Sequence, residues 1–109
     1  MNWTQLTDIA QIVILKEKSF IQPQVIFKHS TRCSISSMAK NRLDRSEPPH
    51  HIPFHFLDLI RHRNISDKIA EEFFVEHESP QVLIIKNGEC VYDESHTGIS
   101  MDDIVDKAG

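Results

Sequence analysis

Cysteine is scarce in this chain, positive charge is outweighed, and apolar runs are short. Two cysteines in 109 residues are too few for a disulfide framework. Twelve Lys and Arg against sixteen Asp and Glu leave a net charge of -4, with no basic cluster of the kind that tracks a phosphate backbone. Aromatic residues make up 7% and are scattered, so no platform for stacked bases stands out. The longest purely apolar stretches, such as Ile12 to Leu15 and Val82 to Ile85, are far too short to cross a bilayer. The opening MNWTQLTD has no basic segment leading into an apolar one, so no secretory signal is read there. No internal repeat or low-complexity segment occurs. Nucleic-acid and membrane partners are therefore not expected. The simplest setting is the cytoplasm, where thiols stay reduced.

What is present suffices for one folded domain over residues 1–109. A composition 39% hydrophobic and 26% charged can fill a core. Leu6, Ile9, Ala10, Val13 and Ile14 recur at helical spacing and predict a first helix. Gln24 to Lys28 (QVIFK) follows Pro23 and reads as a buried strand. Ile35, Met38, Ala39 and Leu43 predict a helix that ends before the paired prolines of RSEPPHH. Phe54 to Ile60 (FHFLDLI) reads as a strand covered on both faces. Asn64 or Ser66 can cap the next helix, whose apolar face is Ile65, Ile69, Ala70 and Phe73. QVLIIK and ECVYDE flank Asn87-Gly88, a strong signal for a tight hairpin. Ser100 can cap a last helix, with Ile99 and Ile104 placed for a hydrophobic staple. The expected order is α-β-α-β-α-β-β-α. The helix between the first two strands implies a parallel pair. An α/β fold follows, with a mixed central sheet of four strands, or five, and helices on both faces.

The chemistry gathers in FKHSTRCSIS, Phe27 to Ser36. Cys33 stands where a strand gives way to a helix. Free N–H groups and the helix dipole favour an anion there, and a thiolate gains from both. Lys28, His29 and Arg32 can add positive charge, and the Ser36 hydroxyl, one turn on, can donate to the sulfur. Cys33 is then an activated nucleophile with no neighbour to resolve its mixed disulfides. The alternative is a buried cysteine acting as a small hydrophobe. Cys90 sits at the hairpin tip. A six-residue strand spans about 20 Å, beyond the roughly 7 Å that a disulfide allows between Cα atoms, so Cys90 reads as structural.

Pro80 follows Ser79 at the start of a strand that should be central. It is tolerated there as a first residue, or it carries a cis bond. His96 and Gly98 follow the last strand as it returns toward Pro80, as site residues or plain loop. His50, His51 and His55 fit no recognisable metal spacing, so no metal is expected. Glu71, Glu72, Asp102 and Asp103 read as solvated helix faces.

The order of elements and the Cys33/Pro80 pair resemble the thioredoxin fold. FKHSTRCSIS, IPFHFLDLI, AEEFFVEHESPQVLIIKNGE and SHTGIS, in that order, resemble the monothiol bacilliredoxins of the bacillithiol system, the YtxJ-like family. That family's motif reads close to TCPIS. Ser34 here replaces its proline, keeping CxxS but losing a ring that fixes φ at the helix start. The resemblance implies a redox protein that removes bacillithiol from bacillithiolated proteins, with Cys33 carrying the chemistry. His29, Thr31, Arg32, Ser36, Ser79, Pro80, His96 and Gly98 would support it. A cis Ser79-Pro80 bond beside Cys33 is also implied, with the Ser79 backbone free to pair with an extended client segment.

The favoured function is a thiol-disulfide oxidoreductase with no tightly bound cofactor. Its co-substrate is bacillithiol or a similar low-molecular-weight thiol, and its partners are S-thiolated client proteins. One alternative is a monothiol glutaredoxin using another thiol or carrying a cluster, although the chain lacks CGFS. The other is a non-catalytic binding module on a thioredoxin scaffold.

Overall fold

The computed structural model describes residues 2–109. One five-stranded sheet has the order β1-β3-β2-β4-β5. Its strands are β1 (Trp3–Gln5), β2 (Gln24–His29), β3 (Phe54–Asp58), β4 (Gln81–Lys86) and β5 (Glu89–Ser95). β1, β3 and β2 run parallel, and β4 is antiparallel to both β2 and β5. Helices α1 (Ala10–Lys18), α2 (Ser34–Arg45), α3 (Arg63–Phe73) and α4 (Met101–Ala108) cover the sheet, with a short 3-10 turn at His96–Gly98. No helix among the described residues is long and apolar enough to cross a membrane.

Strand alternation sorts the core into two layers. Val25, Phe27, Val82 and Ile84 pack with Ala39 and Leu43 of α2 and with Ile104 of α4. Ile26, Leu83 and Ile85 pack with Ile12 and Leu15 of α1 and with Ile65, Ile69 and Phe73 of α3. The helices thus lie in pairs on opposite faces.

Two expectations for the first segment need correction. Strand β1 precedes α1, so the order opens on a strand. It is three residues long, too short for alternation to mark it. The helix also begins later than its spacing implies. Asp8 accepts from the Ala10 N–H at 2.9 Å, and Gln11 accepts from the Thr7 and Asp8 N–H groups. The buried residues of α1 are Ile12 and Leu15, while Val13 and Ile14 are exposed. Leu6 is buried, but outside the helix.

Elsewhere local chemistry decides the ends. Asn87 (φ 54°) and Gly88 (φ 79°) form the tight turn of the β4–β5 hairpin, where positive φ is needed at both centres. Ser100 caps α4 by accepting from the Asp103 N–H, and Ile99 and Ile104 are both buried. Helix α3 begins at Arg63 after His62, with no side-chain cap, so neither Asn64 nor Ser66 caps it.

Candidate functional site

β2 ends at His29, and the chain turns so that the Cys33 N–H donates to the Ser30 carbonyl at 3.2 Å. Cys33 is the residue before the first turn of α2, with extended backbone (φ -111°, ψ 120°). No side chain caps that turn. Its first N–H groups lack intrahelical partners, and such a helix start favours negative charge near it. Cys33 is a free, half-buried thiol, which corrects the alternative of a cysteine sealed in the core.

Beneath it, Ser36 is fully buried. Its Oγ accepts from the Ser30 N–H at 3.0 Å and lies 2.7 Å from His29 Nδ1. The hydroxyl is therefore engaged with these two partners and not with the sulfur, contrary to the expected donation. His29 is itself buried, its ring against Phe56 at 5.4 Å and Phe27 at 6.0 Å. Burial, assisted by the Lys40 charge, pushes its pKa below the usual histidine value against the pull of Asp58. His29 is a neutral imidazole that anchors Ser36, not a cation beside the sulfur. Thr31 and Arg32 are exposed in the turn.

Lys28 is also misplaced by a reading along the chain alone. It alternates with His29, so its side chain leaves by the opposite face of the sheet. It is fully buried there, with Nζ 3.4 Å from His77 Nδ1. Burial lowers its pKa to about 8, despite Asp67, Cys90 and Asp93 nearby. No cation from Lys28 reaches Cys33.

Register brings the second loop to the same end of the sheet. Lys28 pairs with Gln81, so Ser79 and Pro80 lie beside the Ser30–Cys33 turn. The Ser79-Pro80 bond is cis. The His96 N–H donates to the Pro80 carbonyl at 3.0 Å, and His96 Nε2 lies 3.6 Å from Glu78 Oε2. Gly98 is in the same 3-10 turn, where an added Cβ would stand 2.6 Å from the Glu94 carboxyl carbon. Cys33, Ser79, Pro80, His96 and Gly98 thus share one rim. Sequence reasoning assigned no role to His77, half-buried in that loop, or to the Ser66 hydroxyl, 3.1 Å from its Nδ1. Of the four residues whose spacing predicts α2, Ala39 and Leu43 are buried, while Ile35 and Met38 are exposed in the turns that follow Cys33.

Cys90 lies at the other end. It pairs with Ile85, which pairs with Gln24 at the start of β2. A β-bulge at Val91 turns Cys90 to the α1/α3 layer, while Tyr92 faces the other. Burial pushes its thiol up to about 11, and Sγ donates to the Tyr92 carbonyl at 3.3 Å. No group of three His, Cys, Asp or Glu residues able to hold a metal occurs among the described residues.

Residues 4–104 match the monothiol bacilliredoxin family BrxC. The chain belongs to this family. Among solved structures, a protein proposed as an oxidoreductase with a thioredoxin fold superimposes with a TM-score of 0.84 at 28% identity, over 96% of this chain and 92% of that one. Thioredoxin from Malassezia sympodialis matches at 0.75 and 15% identity, over 99% of this chain and 92% of its own. Mitochondrial thioredoxin 3 from Saccharomyces cerevisiae matches at 0.73 and 15%, over 97% and 92%. The last two likenesses show the thioredoxin fold. The bacilliredoxin family and the oxidoreductase fold together support a thiol redox function for this chain.

Proposed function

We propose that this protein removes bacillithiol, or a similar low-molecular-weight thiol, from S-thiolated client proteins through Cys33. The Cys33 thiolate attacks the small thiol's sulfur in the mixed disulfide. A new disulfide forms between Cys33 and the small thiol. The bond to the client breaks, and the client thiolate leaves to take a proton from water. A second molecule of small thiol then attacks, forms the oxidised dimer of that thiol and releases Cys33. Electrons balance without a second protein cysteine, a metal or a tightly bound cofactor. Such chemistry belongs in a reducing compartment such as the cytoplasm.

The observation that carries this reading is the position of Cys33 at an uncapped helix start, half-exposed, with Ser36 in the place of a resolving thiol. Ser36 is held by His29 and Ser30 and cannot form a disulfide. The exposed Ile35 and Met38 offer apolar contact to a client segment beside the sulfur. Thr31, Arg32, the Ser79 backbone, His96 and Gly98 form the rest of the rim.

The test is incubation with oxidised bacillithiol, followed by intact mass spectrometry. Wild type and Cys90→Ser should each gain one bacillithiol, and Cys33→Ala none. A bacillithiolated client should be reduced by the first two alone. Adduct formation that persists in Cys33→Ala would defeat the reading. Reduction with glutathione alone would replace bacillithiol as the co-substrate. A chain that forms no adduct and reduces no client would be a binding module.

A further inference from the structure

We propose that His55 is the centre of a second binding site, away from Cys33, that takes a small amphipathic acid: an apolar body with one O–H or N–H donor for His55 Nδ1 and one carboxylate for Lys18. His55 alternates with Phe54 and Phe56, so it leaves the sheet on the face covered by α1 and α3, not on the face of α2. Its register partner on β2 is Ile26, three residues or about 10 Å before that strand ends at His29. The side chain is 8% exposed. Its Nε2 lies 2.8 Å from Gln24 Oε1. Gln24 is oriented by its own Nε2, which donates to the Gln22 carbonyl at 3.3 Å. An acceptor oxygen therefore faces His55 Nε2, the ring's one hydrogen is on Nε2, and Nδ1 keeps its lone pair. Burial, assisted by the Lys18 charge, lowers the His55 pKa to about 4, so the ring is neutral at pH 7. Nδ1 is buried and has no hydrogen-bond partner among the described residues. Such an acceptor gains from a donor.

Two adjoining clefts meet at this ring. One, of about 240 Å³, lies against Ile14 and Leu15 of α1 and is also lined by Thr4, Lys18 and His55. The other, of about 330 Å³, shares Thr4, Lys18 and His55 and adds Ile21 and Pro53. Apolar walls with a few polar groups are what a small-molecule site requires. Lys18 ends α1, is exposed, and forms no ion pair among the described residues. Its charge is felt at His55. It is a cation at the mouth, free for a carboxylate. Nδ1 is closed to solvent, so the donor enters by displacing a wall. Ile14, Lys18 and Ile21 are exposed side chains and can yield.

Packing does not ask for this pair. Leu15, Ile26 and Leu57 in the same layer are apolar. Two apolar side chains in place of Gln24 and His55 would fill the space without desolvating two polar groups. What Gln24 adds is a ring held in one tautomer. With Nε2 taken, Nδ1 is the polar atom left for a ligand.

The test is NMR titration of the full chain with 4-hydroxybenzoate, benzoate, 4-methoxybenzoate and p-cresol. Ring nitrogen-15 spectra of the free protein should show His55 as the Nε2–H tautomer. 4-Hydroxybenzoate should give saturable amide shifts centred on Thr4, Ile14, Lys18 and His55, with a Kd of about 1 mM or tighter. It should also move the His55 Nδ1 resonance toward the hydrogen-bonded range. Benzoate and 4-methoxybenzoate lack the donor and should bind about tenfold more weakly, the worth of one hydrogen bond. p-Cresol keeps the hydroxyl but lacks the carboxylate, and should lose about fivefold. His55→Phe should reduce 4-hydroxybenzoate to the level of benzoate, and Lys18→Met to that of p-cresol. If His55→Phe does not fold, the four compounds on wild type decide alone. An Nδ1–H tautomer, an unmoved Nδ1 resonance, equal affinity with and without the hydroxyl, or no saturable shift at these residues overturns the proposal.

Discussion

Replacing Lys28 with methionine should stabilise this protein at neutral pH. The side chain is fully buried, and its nearest acceptor is an imidazole nitrogen, not a carboxylate. Its pKa falls from 10.5 to about 8 because burial penalises the ammonium. At about 1.4 kcal/mol per pH unit this amounts to about 3 kcal/mol. The folded state binds fewer protons than the unfolded state between pH 8 and 10.5, so stability rises with pH through that window and the penalty is in full force below it. Methionine matches the stem, removes the charge and gives up one hydrogen bond to His77, about 1 kcal/mol. Lys28→Met should therefore be about 2 kcal/mol more stable than wild type at pH 7. The gap should close as pH approaches 10. Urea unfolding, followed by fluorescence of the single tryptophan, measures both. Trp3 is a suitable probe, since it packs against Phe27, Phe54 and Phe56. Tyr92, which Lys28 does not perturb, is common to both proteins and cancels in the difference, while the Cys90 thiol, which the Lys28 charge lowers, is held near 11, above this window. A variant less stable than wild type at pH 7, with a gap independent of pH, would refute the reasoning.

Iodoacetamide at pH 8 should label Cys33 and leave Cys90 largely untouched until denaturant is added, because burial holds the Cys90 thiol near 11; peptide mass spectrometry reads the order of labelling. Ser36→Ala strands the buried Ser30 N–H and His29 Nδ1, and should lower stability in urea by about 1–3 kcal/mol. His55 is buried, and its pKa is lowered to about 4, chiefly by burial. Stability should fall as pH drops from 6.5 toward 4, by up to about 3 kcal/mol. His55→Phe should flatten that slope in urea titrations across the range, whereas an unchanged slope would assign the acid loss to other groups.

Much of the fold was legible because it is written in local chemistry. Asn87-Gly88 names its turn, Ser100 and Ile99 name the start of α4, and Pro48-Pro49 stops the helix before it. The CxxS pattern at a strand-to-helix junction marked Cys33 for the same reason. The errors have a common cause. Ile9, Val13 and Ile14 have helical spacing, yet the sheet receives Ile12 and Leu15, since spacing cannot say which of two apolar stripes meets a partner. Ile35 and Met38 fail likewise.

The sequence by itself determined the class of fold, the hairpin turn, the start of α4, and the place of Cys33 at a strand-to-helix junction. All of these depend on residues within a turn or two of each other. Only the tertiary structure decided what surrounds that cysteine. Lys28 and His29 are adjacent in the chain, but the pleat sends one to each face of the sheet, so neither serves as a cation beside the sulfur. Pairing of β2 with β4 set the cis-proline loop against the Cys33 turn. Helix α3 brought Ser66 to His77. Burial also shifts these groups, because it is desolvation by distant parts of the chain that lowers the pKa of Lys28, His29 and His77.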